Sequence, residues 1–284
     1  MSDMEASGRV GAALESVLRD IGIPPRPAIL DRIRDEMRKQ APDLKHLAMM
    51  ISSDVALSAA LISLVNSPYF GYRGRVRCVD EALNMIGLSV ASRSIAGIVF
   101  RRLFPQSPTL TRFWDASAAI ARLSGWLVQQ LDVPIHADDA YTFGLFRDCG
   151  IAILIARFPD YPEVLQLANQ EDERNFTAVE EARCPTNHAV VGCMLAQGWW
   201  LPEEICLAIR HHQEYPPSGQ QNPSTLGMIA IAQLAEHLWQ YHTGMSETRE
   251  WAKARAFCLS FLGLDEARLA QLYRESAALI EKIY

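Results

Sequence analysis

The residues of this sequence with the clearest chemical potential are one aspartate and three histidines. Asp148 lies in a mostly apolar run, His188 follows further along, and His211 and His212 are adjacent. Carboxylates and imidazoles that converge from separate helices build the metal sites of helical proteins. Their long separations match no short zinc motif, and each histidine alone is more often a hydrogen-bonded structural residue than a ligand.

Arg147 precedes Asp148 and gives the run an adjacent pair of opposite charges. Gly144 and Gly150 bracket the pair, and an apolar stretch at residues 151–158 follows directly. The pair is therefore expected close to a buried core. Because a buried charge is costly without a partner, we expect polar partners for it, and the three histidines are the candidates.

A second group of charged residues occupies a glycine-containing loop. Arg73, Arg75 and Arg77 alternate with other residues between Gly71 and the next helix. Arginine suits phosphate and carboxylate binding, so this loop is a candidate anion or partner site. Such a loop is more often simply a solvated surface segment.

Composition narrows the class of protein. The 284 residues are 49% hydrophobic and 21% charged, with a formal net charge of −6. The negative charge weighs against a general nucleic-acid binder. No apolar run approaches the ~20 residues of a membrane span, and the acidic N-terminus lacks an apolar signal core, so a cytoplasmic protein is expected. Its six scattered cysteines favour small buried side chains in a reducing compartment over a disulfide or zinc framework.

The hydrophobic pattern has helical period almost throughout, which predicts an all-α fold. A first amphipathic helix is expected at residues 9–20, and a long one at about 110–131. The Pro-Gln-Ser-Pro segment at 105–108 is the best linker in the chain. It predicts two helical lobes, residues 1–107 and residues 108–284.

Several segments carry a family resemblance. Residues 53–70 read Ser-Asp-Val-Ala-Leu-Ser-Ala-Ala-Leu-Ile-Ser-Leu-Val-Asn-Ser-Pro-Tyr-Phe, and residues 80–88 read Asp-Glu-Ala-Leu-Asn-Met-Ile-Gly-Leu. Later segments are Phe-Trp-Asp-Ala-Ser at 113–117, Gly-Leu-Phe-Arg-Asp-Cys-Gly at 144–150, His-Ala-Val-Val-Gly at 188–192 and Ala-Ile-Arg-His-His at 208–212. In this order they resemble the HD-related output domain (HDOD) family of bacterial signalling proteins.

That resemblance implies a second lobe similar to the HD-superfamily metal-dependent phosphohydrolases. Their His-Asp pair falls on Arg147 and Asp148, and the histidine of their first helix falls at or near Ala116. Neither arginine nor alanine ligates a metal, so the catalytic set is incomplete. The vestigial positions are Ala116, Arg147, Asp148, His188, His211 and His212.

The lost ligands predict a pseudoenzyme that holds neither metal nor cofactor. The permanent charge of Arg147 opposes a cation, so the retained residues are expected to form a polar network. The implied function is a non-catalytic regulatory output module that contacts a protein partner in a bacterial signalling circuit, with no nucleic acid or membrane. The alternatives are a residual metal-dependent phosphohydrolase and a nucleotide- or anion-binding sensor that uses Arg73, Arg75, Arg77 or Arg147.

Overall fold

The computed structural model describes residues 21–71, 74–105, 107–215, 217, 221–244 and 249–281. Every regular element within these ranges is helical, which confirms the all-α prediction. The helix expected at residues 9–20 lies outside them. In chain order the elements are α1 (Ala28–Met37), α2 (Leu44–Ser52), α3 (Val55–Val65), a 3₁₀ turn (Pro68–Phe70), α4 (Val79–Arg102), α5 (Pro108–Gln130), α6 (Ala137–Phe146), α7 (Cys149–Arg157), α8 (Tyr161–Gln170), α9 (Phe176–Glu181), α10 (His188–Gly198), α11 (Glu203–His211), α12 (Pro223–Thr243), α13 (Glu250–Phe261) and α14 (Glu266–Ile280).

Side-chain caps begin several of these helices. The Asp43 carboxylate accepts the His46 N–H at 2.9 Å before α2, and the Asp54 carboxylate accepts the Leu57 N–H at 2.8 Å before α3. Such caps satisfy N–H groups that have no partner within the helix. They therefore fix where α2 and α3 begin.

Helix α4 is broken at Gly87. Its backbone departs from helical geometry at this residue, where φ is 72° and ψ is 165°, so the helix axis is broken there. Glycine adopts this conformation at little cost. By length and apolarity α4 could cross a membrane, but Leu83, Ile95 and Phe100 on it are buried in the protein core. Helix α4 therefore serves as a core helix of this fold.

The Phe100 ring joins the two sides of the 105–108 linker. It lies 5.5 Å from the Trp114 ring on α5, 6.2 Å from Phe146 on α6 and 5.7 Å from Trp199 after α10. A continuous apolar core contains residues from both sides. The division into residues 1–107 and 108–284 stays a prediction.

Candidate functional site

Three helix ends bring the predicted polar residues together. Asp148 occupies the junction where α6 ends and α7 begins, with a non-helical ψ of 12°. His188 is the first residue of α10, which Asn187 caps by accepting the Val190 N–H at 2.8 Å. His212 follows α11 directly. Side chains at the ends of helices can come close together because no backbone of a neighbouring helix lies between them. Three helix ends can therefore place their side chains around one point.

A close contact between α7 and α10 sets the position of His188. A Cβ atom on Gly150 would lie 2.0 Å from the His188 carbonyl oxygen and 2.9 Å from the Gly192 nitrogen. No residue with a side chain fits at position 150 without moving one of these backbones. The glycine thus allows the first turn of α10 to pack directly against the start of α7, beside Asp148.

Asp148, His188 and His212 form a compact triangle of ligand atoms. His212 Nε2 lies 3.1 Å from Asp148 Oδ1 and 3.2 Å from His188 Nε2, and His188 Nε2 lies 3.7 Å from Asp148 Oδ1. A point equidistant from these atoms lies about 1.9 Å from each, close to the 2.0–2.2 Å of Zn–N and Zn–O bonds. These residues are the ones that could hold a divalent cation.

The outer nitrogens of both imidazoles are engaged by acceptors. His212 Nδ1 lies 2.8 Å from the Ile209 carbonyl oxygen, and His188 Nδ1 lies 2.7 Å from Glu180 Oε2. Each Nδ1 therefore donates, and each neutral ring turns an Nε2 lone pair towards Asp148. The two Nε2 atoms and Asp148 Oδ1 are then three acceptors that face one another. A proton or a metal cation between them would supply the positive charge that they lack.

The pKa directions show where a proton would reside. Burial is the largest single influence on the pKa of His188 and lowers it, but the Glu180 and Asp148 carboxylates together raise it above the ordinary value. For His212, burial dominates over Asp148, and the pKa is lowered. His188 therefore holds a proton more readily than His212, and its Nε2–H would donate to His212 Nε2 at 3.2 Å.

Arg147 is buried and paired on two sides. Its Nε donates to Asp148 Oδ2 at 2.8 Å, and its Nη2 donates to Glu236 Oε2 at 2.5 Å. Burial alone would lower the pKa of Arg147, but the two carboxylates raise it, and Arg147 in turn holds the pKa of Asp148 far below its usual range against the effect of burial. Because two carboxylates neutralise its charge, Arg147 repels a cation at the site less than an unpaired arginine would. It binds Oδ2 and leaves Oδ1 to the imidazoles.

The His211 side chain does not join the cluster. His211 Nδ1 lies 2.9 Å from Glu214 Oε1, on the partly exposed side of the α11 end. The expectation that His211 shares the network is therefore wrong. Consecutive helical residues project about 100° apart, so His211 and His212 cannot both face the same point.

Of the other predicted positions, Ala116 lies beside the site. Ala116 on α5 lines a cavity of about 470 Å³ whose wall also includes Arg147 and Asp148. Arg75 and Arg77 are exposed in the loop before α4. Arg73 lies outside the described residues.

Two glutamates, one fully buried and one partly buried, complete the site and were not predicted. Glu180 binds His188 and also accepts the Tyr161 hydroxyl, and Glu236 accepts from Arg147 and from Gln240 Nε2 at 3.2 Å. Only hydrogen-bond capacity could have signalled Glu236, because one aspartate cannot fill the five N–H donors of a buried arginine. No local signal separates Glu180, which is fully buried, from its exposed neighbour Glu181.

Solved structures of three proteins share this fold. An HDOD domain protein of unknown function from Geobacter sulfurreducens is 20% identical, with a TM-score of 0.65, over 92% of this chain and 91% of its own. A proposed phosphohydrolase from Shewanella amazonensis SB2B is 18% identical, with a TM-score of 0.66, over 94% and 96%. A proposed signal transduction protein from Marinobacter aquaeolei VT8 is 19% identical, with a TM-score of 0.67, over 94% and 59%. At these identities the likeness establishes the fold alone.

Sequence comparison extends the likeness. An uncharacterized protein of Treponema pallidum (strain Nichols) is 25% identical over 215 residues, which are 75% of this chain. This chain spans 42% of that relative's length. The HDOD domain model matches residues 23–215, well over half of the chain. The chain therefore belongs to the HDOD family, whose domain is related to the HD domain and to signalling proteins.

Proposed function

We propose that this chain is a non-catalytic signal-transduction module that acts through contacts with a protein partner. The observation that supports this most directly is the pairing of Arg147. Its guanidinium occupies Asp148 Oδ2 and Glu236, so Asp148 has only Oδ1 left for a cation. A carboxylate held in this way cannot bridge two metal ions, so the pairing disfavours a two-metal site for phosphoryl transfer. The HDOD membership and the net charge of −6 support a protein partner over nucleic acid.

A hydrolysis assay tests this proposal. The purified protein should not turn over nitrophenyl phosphoesters or cyclic dinucleotides with Mg²⁺, Mn²⁺, Fe²⁺ or Zn²⁺. Asp148→Ala and His188→Ala serve as matched variants. Metal-dependent turnover that both substitutions abolish would refute the pseudoenzyme assignment.

The runner-up is a residual one-metal phosphohydrolase, and the triangle of ligand atoms is the observation that favours it. Three protein ligands with an open fourth position are also the arrangement of catalytic zinc sites. Isothermal titration with Zn²⁺ and Mn²⁺, run beside the hydrolysis assay, separates the cases. Binding that requires His188 and His212 together with turnover selects the enzyme, whereas binding without turnover selects a structural metal.

A further inference from the structure

A second cleft lies between α3, α4, α5 and α6, away from the aspartate–histidine cluster. Its volume is about 670 Å³, within the range of small-molecule sites. Much of its wall is apolar, and the larger apolar side chains are Leu64, Ile98, Phe100, Trp114, Leu145 and Phe146. No aspartate or glutamate is among its described lining residues.

Arg122 on α5 lines this cleft without a carboxylate partner. Among the described residues no carboxylate oxygen lies within 4.0 Å of its guanidinium, and its Nε is shielded from solvent with no hydrogen-bond acceptor. The other two arginines of the cleft differ: Arg101 lies 4.0 Å from Asp115, and Arg102 lies 3.0 Å from Asp54. A shielded cationic donor without an acceptor is costly, so an acceptor from outside the chain would be stabilised there.

Two further polar groups lie on the same wall. Ser67 Oγ is buried and has no hydrogen-bond partner in the described part of the chain. Tyr141 also lines the cleft. Burial raises the pKa of its hydroxyl to about 12, and the positive charge of Arg122 opposes that rise. The charge of Arg122 therefore reaches Tyr141 on the wall of this cleft.

From these contacts we propose that the cleft binds a small organic anion with an apolar body and one acidic group. Arg122 binds the carboxylate, sulfonate or phosphate, and Ser67 adds a hydroxyl donor. The aromatic and aliphatic walls cover the body. Since α3 and α4 precede the 105–108 linker and α5 and α6 follow it, the bound anion contacts both sides of that link. This site goes beyond the proposed protein-contact function and does not depend on it.

Fluorescence titration with anilinonaphthalene sulfonate tests the site, because this probe combines an aromatic body with one sulfonate. We expect Arg122→Gln to weaken its binding about tenfold or more, as loss of a charge-assisted hydrogen bond predicts. Arg112→Gln is the matched control: it removes the same charge on the same helix, from the rim of the other cavity. The Arg112→Gln variant should bind the probe as tightly as the wild type does.

A blocking variant provides the second arm. Ala56 is exposed at the edge of the cleft, whereas Ala59 is exposed on the same helix outside it. Ala56→Trp should reduce probe binding, and Ala59→Trp should leave it unchanged. Both positions are on the surface, so neither tryptophan has to enter the core.

Competition identifies the ligand class. Laurate or naphthoate should displace the probe, and the stronger competitor shows whether the cleft prefers an aliphatic or an aromatic body. Inorganic phosphate, which has no apolar body, should not displace it. The proposal is overturned if Arg122→Gln binds like the wild type, if Arg112→Gln weakens binding equally, or if neither organic anion competes.

Discussion

At the residue scale, the site is a balance of buried charges. Arg147 faces Asp148 and Glu236, and His188 faces Glu180. Asp148 divides its two oxygens between these groups, with Oδ2 on the guanidinium and Oδ1 on His212. The Asp148 carboxylate therefore connects the Arg147 guanidinium to the two histidines.

We expect Asp148→Asn to lower the free energy of unfolding by on the order of 3 kcal/mol. The amide removes one of the two anions beside Arg147, whose side chain is only 3% exposed. Urea denaturation measures the change. Asp115→Asn is the control, because Asp115 is half exposed and 4.0 Å from its arginine. Equal midpoints for the two variants would mean that Asp148 does not compensate Arg147.

At the element scale, close helix packing and helix-end contacts position these groups. The start of α7 touches the first turn of α10 through Gly150, and the C-terminal turn of α1 binds the N-terminal side of α2 through Glu36. In both places a local contact between two elements fixes the direction of a whole helix.

Gly150→Ala should be strongly destabilising, on the order of 3 kcal/mol, because the new methyl group meets backbone atoms that cannot rotate away. Gly198→Ala is the matched control. A Cβ atom there has no neighbour within 4 Å, so the cost should be small or the change stabilising. Thermal unfolding of both variants makes the comparison, and a mild effect at position 150 would contradict the close packing of α7 on α10.

Glu36 predicts a pH dependence of stability. Its buried carboxylate binds Lys39 Nζ at 2.6 Å and the Asp43 N–H at 2.5 Å, and these contacts lower its pKa below the ordinary 4.5. A lowered pKa adds stability above the unfolded-state value, and that stability is lost as pH falls through the folded-state value. Glu36→Gln should therefore be less stable than the wild type at pH 7.

The difference between Glu36→Gln and the wild type should shrink when chemical denaturation is repeated at successively lower pH below about 4.5. Glu163→Gln, at an exposed position, should show no such convergence. A constant difference across the acid range would show that Glu36 acts through shape and not through charge.

At the scale of the whole molecule, contacts between distant segments join the start of the described chain to the α10–α11 turn. The guanidinium carbons of Arg26 and Arg34 lie 3.2 and 3.4 Å from the centre of the Trp200 ring, and Trp199 Nε1 donates to the Pro24 carbonyl. Two guanidinium groups cannot share one face of a ring at these distances, so they lie on opposite faces. Trp200 also holds a left-handed φ of 61°, which is unusual for a bulky residue.

Trp200→Ala should reduce stability by about 1–2 kcal/mol, because two cation–π contacts are lost. Met49→Ala, at a position that is 66% exposed, controls for loss of an exposed apolar side chain and should have little effect. Differential scanning calorimetry gives both values. If Trp200→Ala matches the control, the two arginines do not hold this turn.

The helical order could be read from the sequence because periodicity and capping are local. The Asp43 and Asp54 caps each act on an N–H group three residues further on, and the break in α4 needs only the positive φ of Gly87. The site was predictable only in part. The chemical types of Asp148, His188 and His212 predicted a shared site, and the three side chains do lie together. His211 was expected to join them but instead contacts Glu214.

The sequence by itself determined the helix class, the positions of the helix ends and the chemical types at the site, since these depend on neighbours within a few residues. Only the tertiary structure decided which of two adjacent histidines faces Asp148, that Glu236 joins Arg147, and that Arg122 meets no carboxylate among the described residues. The physical reason is direction: side chains one residue apart on a helix point about 100° apart, and packing between helices selects one of them.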